Sequence, residues 1–254
     1  MDKIAIISDV HGNIPALEVV LSDIKSRGIE TIYNLGDVAG KGPHPAEAVD
    51  MCRDVCEVTV LGNWESFLCY PDNHPNFRYI TDYYGDKLGE QRLNWLRNLP
   101  KTIDFVMSGK HIRLYHASHI SEWHRILAFE PYETYLEMFQ NTEFTTYDNP
   151  APDVVGYGDI HVASVNALYR DHKILFNAGS VGNPLDIPMA TYAILTGKRD
   201  STTLAPFNIE IIRLLYDIEA TVKAAIDAKM PDDLDKYIVE LRTAVHRSRQ
   251  NTPA

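Results

Sequence analysis

The apolar pattern opens with "KIAIIS" (3–8), an almost unbroken Ile-rich run that suits a strand buried on both faces. The period then changes in "NIPALEVVLSDIKSRG" (13–28), where Asn13 is placed to cap, Pro15 follows, Leu17, Leu21 and Ile24 share one face, and Gly28 ends the pattern. The same unit recurs as "TIYNL" (31–35), a loop and "PAEAVDMCRDV" (45–55), and again as "VTVL" (58–61), a loop and a weaker helical stretch. Strand-loop-helix units in succession predict a mainly parallel sheet with helices outside it.

Residues 71–87, rich in Pro, Asn, Asp and Tyr, read as irregular, and "EQRLNWLRNLP" (90–100) reads as a helix stopped by Pro100. Beyond it the pattern turns to short strands with few helices between them: "KTIDFVM", "HIRLYHA", "DVVGY", "SVNALYR", "KILFNAG", "ATYAILT" and "NIEIIRLLY". The change predicts a second sheet facing the first, a layered α/β sandwich closed by helices over 219–228 and 232–245. The chain reads as a single domain over 1–254, with a tail from about residue 247 expected to fray.

A formal net charge of −11 argues against coating a nucleic-acid backbone, which rests on Lys and Arg neutralising phosphates. A polyanionic small substrate then requires local cations. Three cysteines, Cys52, Cys56 and Cys69, lack CxxC spacing and point to packing in a reducing compartment rather than to a disulfide framework. No segment approaches the ~18 apolar residues of a membrane span, and the start lacks a signal-peptide pattern, so a soluble, cytoplasmic protein is expected.

The candidate chemistry gathers at strand ends, where open α/β sheets bind ligands. "SDVHGN" puts Asp9 and His11 after the first strand, "NLGDVAG" puts Asp37 after the second, and "VLGNWESF" puts Asn63 after the third. Later strands end in His116 and in Gly158-Asp159-Ile160-His161. Taken singly, each residue reads as a turn or a cap. Together, oxygen and imidazole donors without thiolates suit a pair of divalent cations. Two such ions about 3.5–4 Å apart clamp the attacking and leaving oxygens of a phosphoryl group.

The order Asp-x-His, Gly-Asp, Gly-Asn, His, Gly-x-x-His resembles the calcineurin-like metallophosphoesterase superfamily, an αββα sandwich of two facing mixed β-sheets flanked by helices. "YNLGDVAGKGPHPAEAV", "NAGSVGNPLD" and "RLLYDIEATV" are similar to its small bacterial phosphodiesterase and asymmetrical diadenosine tetraphosphate hydrolase-like branch. The resemblance implies that Asp9, His11 and His161 hold one ion, that Asp37 bridges, and that Asn63 and His116 hold the second. It implies two divalent ions, Mn²⁺ foremost with Fe²⁺, Zn²⁺ or Ni²⁺ as alternatives, and hydrolysis of a phosphodiester or phosphoanhydride by a metal-bridging hydroxide. The partner expected is a small phosphorylated substrate such as a nucleotide or dinucleoside polyphosphate; a homo-oligomer stays open.

Two positions depart from the family pattern. Asp159 stands where a histidine usually completes the second set, and reads either as a ligand or as a turn cap beside a degraded site. Trp64 stands where a histidine usually protonates the leaving group; an indole N–H orients a phosphate or stacks on a base but transfers no proton. His119 is then the candidate substitute acid, and Lys41 a candidate phosphate contact, each against the alternative of a surface loop residue. The rival to an enzyme is a non-catalytic metal-binding scaffold or regulatory protein on the same fold.

Overall fold

Strand β1 (Asp2–Ile7) shows why the first run is apolar throughout. Ala5 and Ile7 join a cluster with Leu17, Val20, Val49 and Tyr84, while Ile4 and Ile6 join another with Ile112, Leu114, Val154 and Phe176. Alternate side chains thus serve opposite faces, and each fully buried Ile contributes about 1.5–3 kcal/mol of apolar transfer. In the computed structural model, which describes residues 1–231 and 234–249, β1 lies inside one of two five-stranded mixed sheets.

The first sheet runs β10 (Asn208–Leu214), β9 (Ala190–Gly197), β1, β2 (Thr31–Asn34), β3 (Val58–Thr59), with β2 and β3 parallel to β1. Helices α1 (Ile14–Ser26), α2 (Pro45–Val55) and α4 (Arg78–Arg97) contribute Leu17, Val49 and Tyr84 to its outer cluster. The second runs β4-β5-β6-β8-β7: β4 (Thr102–Met107), β5 (Lys110–Tyr115), β6 (Val154–Tyr157), β7 (Ser164–Leu168) and β8 (Lys173–Asn177). A third cluster packs Tyr115, Val155 and Leu175 against Tyr135 of helix α5 (Tyr132–Glu137).

The sandwich is the one expected, but three details differ. Strands β9 (Ala190–Gly197) and β10 (Asn208–Leu214) join the first sheet, β9 pairing antiparallel to β1 with Ile4 opposite Leu195. β9 is buried at nearly every position, so both its faces are covered, and β1 and β10 pair its two edges. The second difference lies in 78–87, which is helical: Ile80, Tyr84 and Leu88 recur every four residues on the buried face of α4, and the polar residues between them hid that stripe. Gly89, at φ 68°, bends the helix one residue before the stretch 90–100 whose pattern predicts a helix. Third, residues 247–249 form a 3₁₀ turn, with Arg247 held by Glu240 (2.9 and 3.1 Å); positions 250–254, and 232–233 ahead of α7 (Leu234–Thr243), lie outside the described residues. Helix α6 (Ile218–Asp227) packs on α7 through Val222, Ala225, Tyr237 and Leu241. Among the described residues no helix is long and apolar enough to cross a membrane.

Candidate metal centre

The loops leaving β1 and β2 stay in register beyond the strands. Asp9 N donates to the Gly36 carbonyl (3.0 Å), His11 N to Asp37 (2.9 Å) and Gly12 N to Val38 (2.9 Å). Such tight exits require unusual backbone. Asp9, His11, Asp37, Asp159 and His161 all sit at φ between 48° and 61°, the left-handed region that Asp, Asn and His enter more readily than most residues. Gly36, at φ 94°, lies so close to the third loop that a Cβ there would stand 2.7 Å from Gly62 N, and a Cβ on Gly62 would collide with Asp37 Oδ1.

Glu65, in helix α3 (Asn63–Cys69), locks these two loops together. Its buried carboxylate accepts from the backbone amides of Gly62 (3.0 Å), Asp37 (2.7 Å) and Val38 (2.8 Å). Sequence reasoning left it without a role. The signal was its place three residues after Gly62, where a carboxylate reaches back to a helix start.

The cluster itself is buried. His161 Nε2 lies 3.2 Å from Asp9 Oδ1 and 3.2 Å from His11 Nε2. His11 Nε2 stands 3.7 Å from Asp37 Oδ2, and His116 Nε2 3.5 Å from Asp37 Oδ1, so the Asp37 carboxylate straddles two groups of donors. Those groups are Asp9, His11 and His161, and Asp9, Asp37 and His116, each with donor atoms within 4.8 Å of one another. Asn63 places one end of its carboxamide 3.0 Å from His116 Nε2 and 3.0 and 3.2 Å from the Asp37 oxygens. With its nitrogen there it donates to the carboxylate; with its oxygen there it adds a lone pair converging on the same point.

Three features fit this set to divalent cations. His116 Nδ1 bonds the Leu35 carbonyl (2.7 Å) and His161 Nδ1 the Asn183 carbonyl (2.5 Å), which fixes both rings with Nε2 lone pairs facing inward. Asp9 Oδ1 is buried and makes no well-formed hydrogen bond, although His161 Nε2 stands 3.2 Å from it. The charges, finally, are poorly matched without an ion. Burial raises the Asp37 carboxyl well above the usual carboxylate range, reinforced by Glu65 and Asp9. Burial also acts to lower His116, but the carboxylates of Asp37, Asp9 and Asp159 overcome it and push that imidazole up to about 9. Protons thus occupy positions that cations would take, and ion binding would release them.

The remaining expected residues are disposed differently. Asp159 belongs to neither donor group: its oxygens accept from Arg125 Nε (2.7 Å) and Nη2 (2.6 Å), and Oδ1 stands 3.8 Å from His116 Nε2. Arg125 carried no sequence signal, because a loop arginine is ordinarily solvated. The Lys41 ammonium is taken up away from solvent, donating to Asn183 Oδ1 (2.7 Å) and lying 3.9 Å from Glu240 of α7. His119 is 5% exposed, and the charged neighbours that bear on it are His124 and Glu137 rather than the cluster carboxylates. Trp64 donates its backbone N–H to Asp37 Oδ1 (2.9 Å) and sets its ring edge-on to His11, Phe67 and Tyr84. Beside it opens a cleft of about 250 Å³ lined by Asn63, Trp64, Phe67, Phe77, Ile80 and Trp123.

An uncharacterized protein of Methanocaldococcus jannaschii is 31% identical over an alignment covering 92% of this chain and 96% of its own. The crystal structure of a metallophosphoesterase from Sphaerobacter thermophilus superposes with a TM-score of 0.73 at 25% identity, covering 96% of this chain and 99% of that one. A hypothetical protein from Pyrococcus horikoshii shares the fold, with a TM-score of 0.75 at 20% identity over 95% of this chain and 99% of that one. Residues 2–200 match the calcineurin-like phosphoesterase superfamily domain, and that stretch carries every donor of the buried cluster. The chain belongs to the calcineurin-like phosphoesterase superfamily.

Proposed function

We propose that this protein is a metal-dependent phosphoesterase that hydrolyses phosphodiester or phosphoanhydride bonds of a small substrate, in the manner of the small bacterial phosphodiesterase branch. The observation that carries the reading is the pair of donor groups sharing Asp9, with Asp37 reaching from one to the other. Asp9, His11 and His161 would hold one divalent ion; Asp37, Asn63 and His116 would hold a second, Asp37 touching both. When bound, such ions supply Lewis acidity toward a phosphoryl oxygen and make a water nucleophile available near neutral pH. Mn²⁺ suits this mixed oxygen and imidazole set, with Fe²⁺, Zn²⁺ and Ni²⁺ as competitors.

The substrate reading rests on Trp64 and the cleft. The indole transfers no proton, so the departing oxygen must be stable as an anion, as in a nucleotide phosphate or an aryl oxide. The cleft meets the donor set at Asn63 and is otherwise apolar and mostly aromatic, which suits a planar ring attached to that phosphate. A nucleotide or dinucleoside polyphosphate meets both requirements.

The test joins metal analysis of purified protein to a Mn²⁺-supplemented screen of bis-p-nitrophenyl phosphate, p-nitrophenyl phosphate and dinucleoside polyphosphates. Two bound ions with turnover of a diester or anhydride are expected. Two bound ions without turnover of any of them would leave a metal-binding scaffold as the better account.

A further inference from the structure

We infer that Asp159 serves as the tether of Arg125 rather than as a metal ligand, and that the tethered guanidinium is a binding site for the substrate's phosphoryl oxygens. The inference rests on the phosphoesterase reading above and specifies one of its contacts. Both Asp159 oxygens are engaged, at 2.7 and 2.6 Å, by Nε and Nη2 of a single guanidinium, the paired arrangement that fixes an arginine in orientation as well as position. The Asp159 side chain is 3% exposed, whereas that of Arg125 is 48% exposed. A buried carboxylate therefore holds an arginine at the surface of the cluster, and the guanidinium edge that Asp159 does not use is left for another acceptor.

The position of that cation matters. Arg125 feels the charges of Asp37 and Asp9 as well as that of Asp159, so it stands within electrostatic reach of the carboxylates shared by the two donor groups. A phosphate approaching those groups would meet three buried aspartates, Asp9, Asp37 and Asp159, besides any bound ions. Arg125 neutralises the one of these that belongs to neither group and offers the planar, permanently charged donor fork that matches phosphate oxygens. Asp159 would act only through it, as a positioning residue. Lys41, the other cation near the cluster, cannot serve in this way because Asn183 and Glu240 hold its ammonium.

The test uses the full-length protein loaded with Mn²⁺, reading bound Mn²⁺ per chain by elemental analysis after dialysis and inorganic phosphate affinity by calorimetry. Arg125→Ala, a change at an exposed side chain, is expected to leave the Mn²⁺ content of wild type and to weaken phosphate by about 10- to 100-fold, the worth of a charge-assisted contact. Arg125→Lys keeps the charge without the fork and is expected to fall between the two. Asp159→Asn is expected to keep the Mn²⁺ content and to raise KM for a diester more than it lowers kcat. Loss of one Mn²⁺ in Asp159→Asn would make Asp159 a ligand and overturn the assignment. Unchanged phosphate affinity in Arg125→Ala, with wild type binding normally, would overturn the binding role alone. A Mn²⁺-loaded wild type with no phosphate affinity would overturn the phosphoesterase reading and this contact with it.

Discussion

The two halves of the cluster are closed in different ways. Asp9, His11 and His161 are sealed from behind: Asn183 accepts from His161 through its carbonyl and from Lys41 through its side chain, and Lys41 leads on to Glu240 of α7. Lys41 stands close enough that, with burial as the larger cause, it lowers the His11 pKa. The half made by Asp37, Asn63 and His116 faces outward, bordered by the cleft along Asn63 and Trp64 and by Arg125 on Asp159. Trp64 and Asp159, the two positions where the resemblance leads one to expect histidine, lie on the outward half, beside the cleft and Arg125. Rigid backing thus belongs to one half, and openness toward the cleft to the other.

The strongest way to break this comparison is Asp9→Asn, which keeps a residue type that tolerates φ 54° and removes the charge common to both donor groups. Turnover is expected to fall by at least about 10³-fold, with both ions lost on dialysis, because residues acting as one unit fail together. Retention of one ion would show that the halves bind independently.

Next in size is Glu240→Gln, which removes the backing of the enclosed half. Burial raises the Glu240 carboxyl, but Lys41 and Arg247 outweigh it and bring its pKa to about 2, below its ordinary 4.5. A group whose pKa is depressed on folding contributes stability above the unfolded value and loses it as pH falls toward the folded one. Wild type should therefore lose on the order of 3 kcal/mol between about pH 4.5 and 2 through this group. In Glu240→Gln this part of the denaturation free energy should no longer vary with pH, and stability near pH 7 should be lower; chemical denaturation across that range checks both.

On the outward half the effects are smaller. Trp64→His should speed hydrolysis of alkyl esters by about 10²-fold, the low end of general-acid catalysis, and change anhydrides little. Equal effects on both would remove the leaving-group account of Trp64. Trp123→Ala should raise KM for a nucleotide substrate by about three- to tenfold while sparing a dialkyl phosphate, as the loss of one aromatic stacking partner requires.

Much of this architecture was legible along the chain. β1, β2 and the helices after them showed their periods plainly, and the donors stood out because each follows a strand. What was hidden depended on pairing between distant segments. Arg125 acquires meaning only through Asp159, 34 residues on, and Lys41 only through Asn183, 142 residues on. The cleft draws Trp64, Phe77 and Trp123 from three separate stretches, none patterned for binding. The place of β9 was missed for a related reason: an apolar strand records that it is covered, but not by which neighbour.

The left-handed backbone at Asp9, His11, Asp37, Asp159 and His161 has a bearing on how such a centre can drift over generations. At these dihedrals a β-branched or bulky side chain is penalised by the main chain itself, whatever its chemistry. Gly enters this region freely, and Asn, Asp and His at a lower cost than most residues; the last three are themselves ligands for cations. The loops therefore act as a filter on inheritance. A carboxylate at position 159 lies within that filter, and the same backbone that admits it sets it against Arg125.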